Sequence, residues 1–285
     1  MKGFPEKIIR LGDFSISNEF PMMLIAGPCA LEGRDMAFRI AEHLVKVTDE
    51  LKVPFVFKAS FDKANRTSLN SKRGVQMDQA LRIFQDLKKD FKCPIITDVH
   101  DACQCGPVSE VVDILQIPAF LCRQTDLLVA AALTQKVINI KKGQFLAPWD
   151  MENVCKKVSG SGNEKIVLCE RGACFGYNQL VTDMRSLKIM QTFGYPVIFD
   201  ATHSVQSPGG LGDSSGGNRD HIELLSRGAV SIGIAGVFIE THFDPKNAYS
   251  DGPNMVPLHA VRNFLMNIKK IDELAKEMRY IDMSC

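Results

Sequence analysis

The chain has 285 residues, of which 45% are hydrophobic and 24% are charged, so it is long enough to bury one large core. Lysine and arginine total 34 and aspartate and glutamate total 33, and the net charge of +1 offers no overall attraction to nucleic acid or to an anionic membrane. The first residues are too polar for a secretory signal, and no apolar run reaches the ~20 residues of a membrane span.

The cysteine content indicates a reducing compartment. Nine cysteines, an odd number in a chain without an export signal, fit reduced thiols better than a disulfide framework. We therefore expect a cytoplasmic protein that binds neither nucleic acid nor membrane.

Residues 1–20 precede the first long strand pattern. Within them, two short apolar segments, 8–10 and 14–16, flank Gly12 and Asp13. This spacing predicts a β-hairpin.

Eight short runs rich in apolar and β-branched residues follow, separated by stretches with helical periodicity. Near-continuous apolar strands that alternate with helices are typical of parallel strands covered by helices. The strand-like runs are 22–27, 55–60, 95–99, 114–118, 137–141, 166–170, 197–202 and 237–241, and the clearest helical stretches are 35–51, 77–89, 182–191 and 219–226.

This order of elements predicts an α/β fold, a single (β/α)8 barrel domain of the triosephosphate isomerase (TIM) type over residues 1–285, with the hairpin plugging its N-terminal mouth. An open doubly wound sheet is the alternative. A closed barrel is favoured because eight units complete it and because no G-x-G-x-x-G motif follows the first strand.

Polar residues follow almost every predicted strand. In these barrels the loops after the carboxyl ends of the strands build the active site, so we expect these side chains to converge. They are Cys29, Lys58, Lys63, Asp98, His100, Gln116, Lys141, Arg171, Asp200, His203 and Glu240.

The basic members form a candidate anion site. Lys58, Lys63, Arg66, Lys141 and Arg171 would make a cationic cluster in a nearly neutral protein, as binding of phosphate and carboxylate groups requires. Taken singly, each could instead be a surface residue whose charge reaches water. Their convergence on one face of the barrel favours a phosphorylated, multiply anionic substrate.

A second group has the chemistry of a metal site. Cys29, His203, Glu240 and Asp251 offer a thiolate, an imidazole and two carboxylates, a mixture that suits Zn²⁺, Fe²⁺ or Mn²⁺ better than Mg²⁺ or Ca²⁺. A structural Cys29 and a core His203 are the alternative, because only the barrel hypothesis brings these residues together.

Two other features are interpreted more simply. Cys103-Gln104-Cys105 resembles half a metal site, but no second pair lies at zinc-finger spacing, so the segment is predicted to open a helix. The glycine-rich segment 207–217 lacks the Gly-Lys-Ser/Thr of a phosphate-binding loop and is interpreted as a lid over the site.

Taken in order, the strand-end motifs resemble the 3-deoxy-D-manno-octulosonate 8-phosphate synthase family, in its metal-dependent form. The resemblance covers nearly the whole chain. It is carried by FVFKASFDKANRTS (55–68), IITDVH (95–100), IPAFLCRQTDL (117–127), INIKKGQFLAPW (138–149), VIFDATHSVQ (197–206) and FIETHFDP (238–245).

The resemblance implies condensation of phosphoenolpyruvate with D-arabinose 5-phosphate and water, with release of phosphate, in lipopolysaccharide precursor synthesis. Carbon 3 of the enol would attack the sugar aldehyde while water adds at carbon 2. It assigns phosphoenolpyruvate to Lys58, Lys63, Lys141 and Arg171, with Gln116 as a further substrate contact. Candidates for catalysis are Lys63, Asp98, His100, His203 and Asp251.

The same resemblance assigns the sugar phosphate to Asn65, Arg66 and Thr67, the last in place of the serine common in the family. Arg123 resembles a residue that reaches the sugar phosphate across a subunit interface, which implies an oligomer, in this family usually a homotetramer.

The motif after the first strand separates metal-dependent from metal-independent members of the family. Gly27-Pro28-Cys29 carries cysteine where metal-independent members have asparagine, and SVQSPGGLGD (204–213) resembles the metal-dependent form. The resemblance therefore implies one divalent ion (Fe²⁺, Zn²⁺, Mn²⁺ or Co²⁺) held by Cys29, His203, Glu240 and Asp251.

Two alternatives stay open. The sister synthase of aromatic amino-acid synthesis uses erythrose 4-phosphate and typically has Lys-Pro-Arg where this chain has Lys63-Ala64-Asn65-Arg66. A non-catalytic barrel that binds phosphosugars would keep the ligand contacts without turnover.

Overall fold

The structure is a computed structural model that describes residues 4–65, 72–210, 216–278 and 280–281. Its strands are β1 (Ile9–Leu11), β2 (Phe14–Ile16), β3 (Met23–Gly27), β4 (Phe55–Lys58), β5 (Ile95–Asp98), β6 (Ile114–Ile117), β7 (Val137–Lys141), β8 (Ile166–Glu170), β9 (Ala173–Cys174), β10 (Leu180–Val181), β11 (Val197–Asp200), β12 (Gln206–Ser207), β13 (Gly216–Gly217), β14 (Gly236–His242) and β15 (Val256–Pro257). The helices are α1 (Arg34–Leu51), α2 (Met77–Phe91), α3 (Ala102–Ser109), α4 (Thr125–Leu133), α5 (Met151–Ser159), α6 (Arg185–Gln191), α7 (Ala201–Ser204), α8 (His221–Val230) and α9 (Val261–Glu277).

Eight of these strands form a closed parallel barrel. The hydrogen-bonded order is β3, β4, β5, β6, β7, β8, β11 and β14, and β14 pairs in turn with β3, which completes the circle. Every one of these strands is buried along its whole length, as expected for strands with side chains inside the barrel on one face and helices on the other. The predicted (β/α)8 barrel is confirmed, and the open sheet is excluded.

The core has two layers, and the hairpin belongs to the inner one. The inner layer consists of side chains that point into the barrel, among them Ile25, Val56 and Phe238. They cluster with Ile9 and Ile16 of the hairpin. A separate and larger cluster packs the outer faces of the strands against the helices. Strands β1 and β2 pair antiparallel around Gly12, so the predicted hairpin and its position against the inner layer are confirmed.

Most predicted bounds lie within a few residues of the structure, and the differences have local causes. The strand predicted to reach Thr202 ends at Asp200, whose side chain accepts a hydrogen bond from the His203 amide and so begins α7. The helix predicted from Thr182 begins at Arg185 instead, because Val181 pairs with Ala173 in a short β-ladder.

The Cys103-Gln104-Cys105 segment lies in helix α3, as predicted. Asp101 accepts from the Cys103 amide while the Gln104 side chain accepts from the Asp101 amide, a reciprocal cap that satisfies two donors at the start of the helix. The Cys103 side chain is exposed and the Cys105 side chain is buried.

The seam between β3 and β4 has no room for a side chain at Gly27. A Cβ atom there would lie 1.9 Å from the carbonyl oxygen of Lys58, far inside any real contact. Glycine at the end of β3 therefore lets the strand that leads to Cys29 run close to the strand that ends at Lys58.

The chain before the hairpin is tied to the turn between α6 and β11. The Phe4 amide donates to the Thr192 carbonyl at 2.9 Å, and Lys7 pairs with Glu164, to which the Tyr195 hydroxyl also donates, at 2.7 Å. None of the helices in the described part of the chain is long and apolar enough to cross a membrane.

Candidate active site

A cavity of about 970 Å³ opens at the carboxyl ends of the barrel strands. It is the place where the sequence predicts the substrate, and most of the predicted residues line it. Those are Lys58, Lys63, Asn65, Asp98, His100, Gln116, Lys141, Arg171, His203 and Asp251.

The floor of the cavity holds a buried ion pair. Lys58 is the last residue of β4. Its Nζ lies 2.9 Å from Oε1 of Glu240 and 3.1 Å from the Cys29 carbonyl oxygen. Lys63 lies 3.8 Å from the same Glu240 oxygen. Burial raises the pKa of Glu240, but Lys58, His203 and Lys63 together outweigh it, so the pKa lies below its usual range and the group is a carboxylate.

A second buried group surrounds Asp200 at the end of β11. Its Oδ2 lies 2.7 Å from Nδ1 of His203 and also accepts from Lys141. The ammonium of Lys141 lies 3.8 Å from the centre of the Phe238 ring. Burial lowers the pKa of Lys141, but the Asp200 charge raises it further, so the lysine keeps its proton.

A chain of hydrogen bonds crosses the inside of the barrel. Ser60 donates to Oδ2 of Asp98 at 2.6 Å, Gln116 donates to Oδ1, and Asn139 donates to Oε1 of Gln116 at 2.9 Å. Burial raises the pKa of Asp98, but Lys58 and other nearby cations lower it more, so Asp98 is an acceptor only. The Gln116 amide is thereby oriented with its nitrogen toward Asp98.

The guanidinium of Arg171 has one nitrogen without a hydrogen-bond partner. Its Nη2 donates to Oε1 of Gln206 at 3.0 Å, while its Nη1 is buried and without a hydrogen-bond partner. An unpaired guanidinium nitrogen is costly in a buried position, and an anion in the cavity would satisfy it.

The cluster is therefore not the bare patch of positive charge that the sequence suggests. Lys58 and Lys63 face Glu240, and Lys141 faces Asp200. Positive charges in these positions are held in fixed places by carboxylates, which organises them before a substrate arrives.

Three predicted metal ligands meet next to the lysines. Ligand atoms of Cys29, Glu240 and Asp251 lie within 4.8 Å of one another. Strand pairing explains this, because Glu240 on β14 pairs with Gly27, two residues before Cys29. His203 adjoins the group, with Nε2 3.7 Å from Oε1 of Glu240, but is not within 4.8 Å of all three.

The donor set fits a divalent metal ion of borderline softness. Oε2 of Glu240 is buried and has no hydrogen-bond partner, which leaves a carboxylate oxygen directed at no protein group. The Cys29 thiol donates to Oδ2 of Asp251 at 3.0 Å, and burial together with Glu240 raises the pKa of this thiol well above its ordinary value. A cation that displaced this proton would gain a thiolate and two carboxylates as ligands.

The remaining predicted residues are placed as follows. His100 lines the cavity, with its ring edge-on to Phe61 and Nδ1 without a partner, and burial lowers its pKa. Arg123 is exposed at the start of α4 and does not line the cavity. Arg66 and Thr67 lie outside the described residues, as do residues 211–215 of the predicted lid.

Three residues of the site were not assigned from the sequence. The sequence places Asp200 at a strand end without indicating a role, and it assigns no role to Asn139 or Gln206. A carboxylate after an apolar strand, as at Asp200, was a usable signal. An amide within a strand, as at Asn139, gives none.

The closed barrel and the ionic group at the carboxyl ends of its strands define a β/α-barrel enzyme. The chain belongs to the DAHP synthetase I family, whose model matches residues 6–277. Among curated proteins it is similar to the 2-dehydro-3-deoxyphosphooctonate aldolase of Bartonella quintana, with 60% identity over 96% of this chain and 99% of the relative. The protein of the same name from Rickettsia bellii is 58% identical over 95% of this chain and 99% of the relative.

Proposed function

We propose that the chain joins phosphoenolpyruvate to D-arabinose 5-phosphate and water, and forms 3-deoxy-D-manno-octulosonate 8-phosphate and phosphate for lipopolysaccharide synthesis. The observation that carries the proposal is the lining of the cavity, which includes Lys63, Lys141 and Arg171 together with the amide of Gln116. The similarity to 2-dehydro-3-deoxyphosphooctonate aldolases, at about 60% identity, supports it. A doubly anionic substrate is the ligand that such a set of donors fits.

Phosphoenolpyruvate offers two anionic ends, a phosphate and a carboxylate. Arg171 supplies its unpartnered Nη1, and Gln116 supplies the second hydrogen of the nitrogen that already donates to Asp98. Lys141, held by Asp200, adds a fixed positive charge to the same region. Lys58 lies deeper, and its pairing with Glu240 suits a role at the reacting end of the substrate.

Charge develops when carbon 3 of the enol attacks the aldehyde, because the aldehyde oxygen becomes an alkoxide that needs a proton. His100 suits acceptance of a proton, as the addition of water at carbon 2 requires, since burial holds its pKa below the ordinary value and favours the neutral ring. Lys63 suits stabilisation of the alkoxide, since burial lowers its pKa but nearby negative charges raise it further and keep it charged. Asp98, His203 and Asp251 remain further candidates for proton transfer.

Water must add at carbon 2 of phosphoenolpyruvate, a step that a divalent ion in the site would assist. Cys29, Glu240, Asp251 and the adjoining His203 would hold one divalent ion, Fe²⁺, Zn²⁺, Mn²⁺ or Co²⁺. When bound, such an ion supplies Lewis-acid polarisation of an aldehyde or water oxygen. His203 is oriented for this role by Asp200, which would accept a hydrogen bond from Nδ1–H and so leave Nε2 as the ligand atom.

The sugar phosphate is assigned to the segment after β4, through Asn65, Arg66 and Thr67. Asn65 is exposed at the cavity edge, which suits contact with the distal end of a long substrate. Arg123 lies away from the cavity of its own chain, and we assign it to the sugar phosphate of a neighbouring subunit in a homotetramer. We place the enzyme in the cytoplasm, where both phosphorylated substrates are made.

An assay of phosphate release with two aldose phosphates tests this function. Purified protein supplied with Mn²⁺ and phosphoenolpyruvate should release phosphate much faster with D-arabinose 5-phosphate than with erythrose 4-phosphate. An equal or reversed preference would contradict the assignment and favour the sister synthase. Binding of both substrates without phosphate release would favour a non-catalytic barrel.

A further inference from the structure

The side chain of Gln206 connects two parts of the site that are described above as separate. Its Nε2 donates to Oδ1 of Asp251 at 2.7 Å, and its Oε1 accepts from Nη2 of Arg171 at 3.0 Å. Asp251 belongs to the group of proposed metal ligands, and Arg171 belongs to the proposed contacts of phosphoenolpyruvate. One amide therefore spans both.

The chemistry of the two partners fixes the orientation of this amide. A guanidinium has only donors, so the Gln206 atom that faces Arg171 must be the oxygen. On the other side, Oδ1 of Asp251 lies 2.7 Å from the Gln206 amide, and a carboxylate oxygen accepts hydrogen bonds. The atom that faces Asp251 must then be the nitrogen. Flipping the amide would oppose donor to donor and acceptor to acceptor.

Each contact occupies one atom of its partner and so determines the direction of the partner's second atom. Because Gln206 occupies Nη2 of Arg171, the buried and unpartnered Nη1 is the nitrogen left for an anion. Because Gln206 occupies Oδ1 of Asp251, the oxygen near the Cys29 sulfur is Oδ2, at 3.0 Å, which also accepts from the Ser250 hydroxyl at 2.7 Å. Gln206 is thus the side chain that contacts both Arg171 and Asp251.

We propose that Gln206 is a positioning residue that aims Arg171 at phosphoenolpyruvate and Asp251 at the divalent ion. The proposal rests on the function proposed above, and it deepens that function by assigning a residue that supports both ligands at once. Gln206 touches neither the substrate's reacting atoms nor the ion in this scheme, and acts through its two partners.

The side chain of Gln206 contributes little to the fold itself. It is half-buried at the cavity edge, and the short strand on which it lies is held to β13 by pairing of Gln206 with Gly217 and Ser207 with Gly216. A substitution that removes only the amide group therefore leaves the core unchanged. This separates a positioning role from a structural one.

The test uses Gln206→Met, which keeps the length of the side chain but removes the amide. Gln179→Met serves as the matched control, because Gln179 is exposed on the loop between β9 and β10 and its side chain does not line the cavity. The metal-free full-length proteins are titrated with Mn²⁺ by equilibrium dialysis and, when loaded with Mn²⁺, with phosphoenolpyruvate by calorimetry. Melting temperatures of the metal-free proteins are measured alongside.

In Gln206→Met we expect both dissociation constants to rise by about tenfold, as for other residues that orient ligands, with an unchanged melting temperature. In an Arg171→Lys background, which lacks Nη2, the same substitution should change the affinity for phosphoenolpyruvate less than about twofold, because the contact is already lost. Gln179→Met should behave as wild type.

Wild-type affinities in Gln206→Met, or a full tenfold loss in the Arg171→Lys background, would overturn the positioning role. A melting temperature that falls in step with both affinities would also overturn it, by showing that the residue supports the fold instead. Failure of wild type to bind phosphoenolpyruvate would refute the proposed function, while the Mn²⁺ titration would still decide whether Gln206 aims Asp251.

Discussion

The carboxylate of Asp200 joins His203 to Lys141, with Oδ2 2.7 Å from Nδ1 of His203 and in contact with the lysine ammonium. Burial raises the pKa of Asp200, but His203 and Lys141 outweigh this effect. The pKa therefore lies well below its ordinary value, and the group is an anion. One buried charge thus sets the ring orientation of a proposed metal ligand and the position of a proposed substrate ligand.

Asp200→Asn should lower kcat/KM by at least about tenfold, because the amide cannot neutralise Lys141 and can offer a donor to His203 where an acceptor is required. Steady-state kinetics with circular dichroism as a check on folding would measure this. Asp220→Asn, at an exposed position before α8, is the control and should match wild type. Unchanged kinetics in Asp200→Asn would show that the neutral amide supports both partners equally well.

Cys29→Ala should lose bound metal and most activity while it keeps the fold. The thiol is fully buried but small, and it lies beyond the end of β3, so its removal takes little from the core. Elemental analysis of protein loaded with Mn²⁺ or Zn²⁺ should find about one equivalent in wild type and much less in the variant. One equivalent in both proteins would mean that Cys29 is not an essential ligand.

Chelation gives a separate measurement of the metal requirement. Treatment of wild type with EDTA or dipicolinate should abolish phosphate release, and Fe²⁺, Zn²⁺, Mn²⁺ or Co²⁺ should restore it. Activity that survives complete removal of metal would contradict the requirement without contradicting the condensation. Cys29→Asn extends the experiment, since an amide at this position is expected in metal-independent members of the family and can retain some turnover.

Arg66→Ala should raise KM for D-arabinose 5-phosphate far more than KM for phosphoenolpyruvate, because the sugar phosphate loses a charge-assisted hydrogen bond. The expected change is on the order of tenfold or more. Kinetics with each substrate varied in turn would give both constants. A change confined to phosphoenolpyruvate would show that Arg66 belongs to the other subsite.

Ile16→Ala should destabilise the protein by about 2–5 kcal/mol without altering either KM, because Ile16 packs inside the barrel at the end away from the cavity. Denaturant unfolding of metal-free protein would measure the free energy. Ile8→Ala is the control, since Ile8 is 60% exposed and should change stability by less than about 0.5 kcal/mol. A large rise in KM would reveal that the hairpin influences the site through the strands.

Glu164→Gln should weaken the attachment of the N-terminal residues in a pH-dependent way. Lys7 and Tyr195 lower the pKa of Glu164 below its ordinary value of 4.5, so its stabilising effect is present above that pH and is lost as pH falls through the folded pKa. The pair is largely exposed, so the loss at pH 7 is about 1 kcal/mol or less. Thermal unfolding should show a difference from wild type at pH 7 that shrinks as the pH falls below 4.5.

The barrel could be predicted because its strands are almost purely apolar. Val137–Lys141 and Ile166–Glu170 have the bounds that the sequence predicts, since both strands are fully buried and Asn139 is the one polar residue before their last positions. The run from Val197 to Thr202 was less informative. Its last residues suit a strand or a helix equally, and only the cap made by Asp200 decides in favour of a helix.

The site was predictable where ionisable residues follow strands, as at Lys58, Lys141 and Glu240. What the sequence did not reveal is how these charges are paired. The contacts of Lys58 with Glu240, and of Lys141 with Asp200, join residues that are far apart in sequence, and the order of the strands in the barrel brings them together. The role of Gln206 was missed for the same reason, because it depends on two partners that are remote in sequence.

The glycine at position 27 has a consequence for how this site can vary. A methyl group there would overlap the carbonyl oxygen of Lys58. Even alanine at this position would therefore force apart the strand that leads to Cys29 and the strand that ends at Lys58. The chain that leads to the Cys29 thiol therefore stays beside the strand that carries the Lys58 ammonium. Substitutions that change the chemistry here are therefore expected at positions beyond the end of β3, such as Cys29, and not at Gly27.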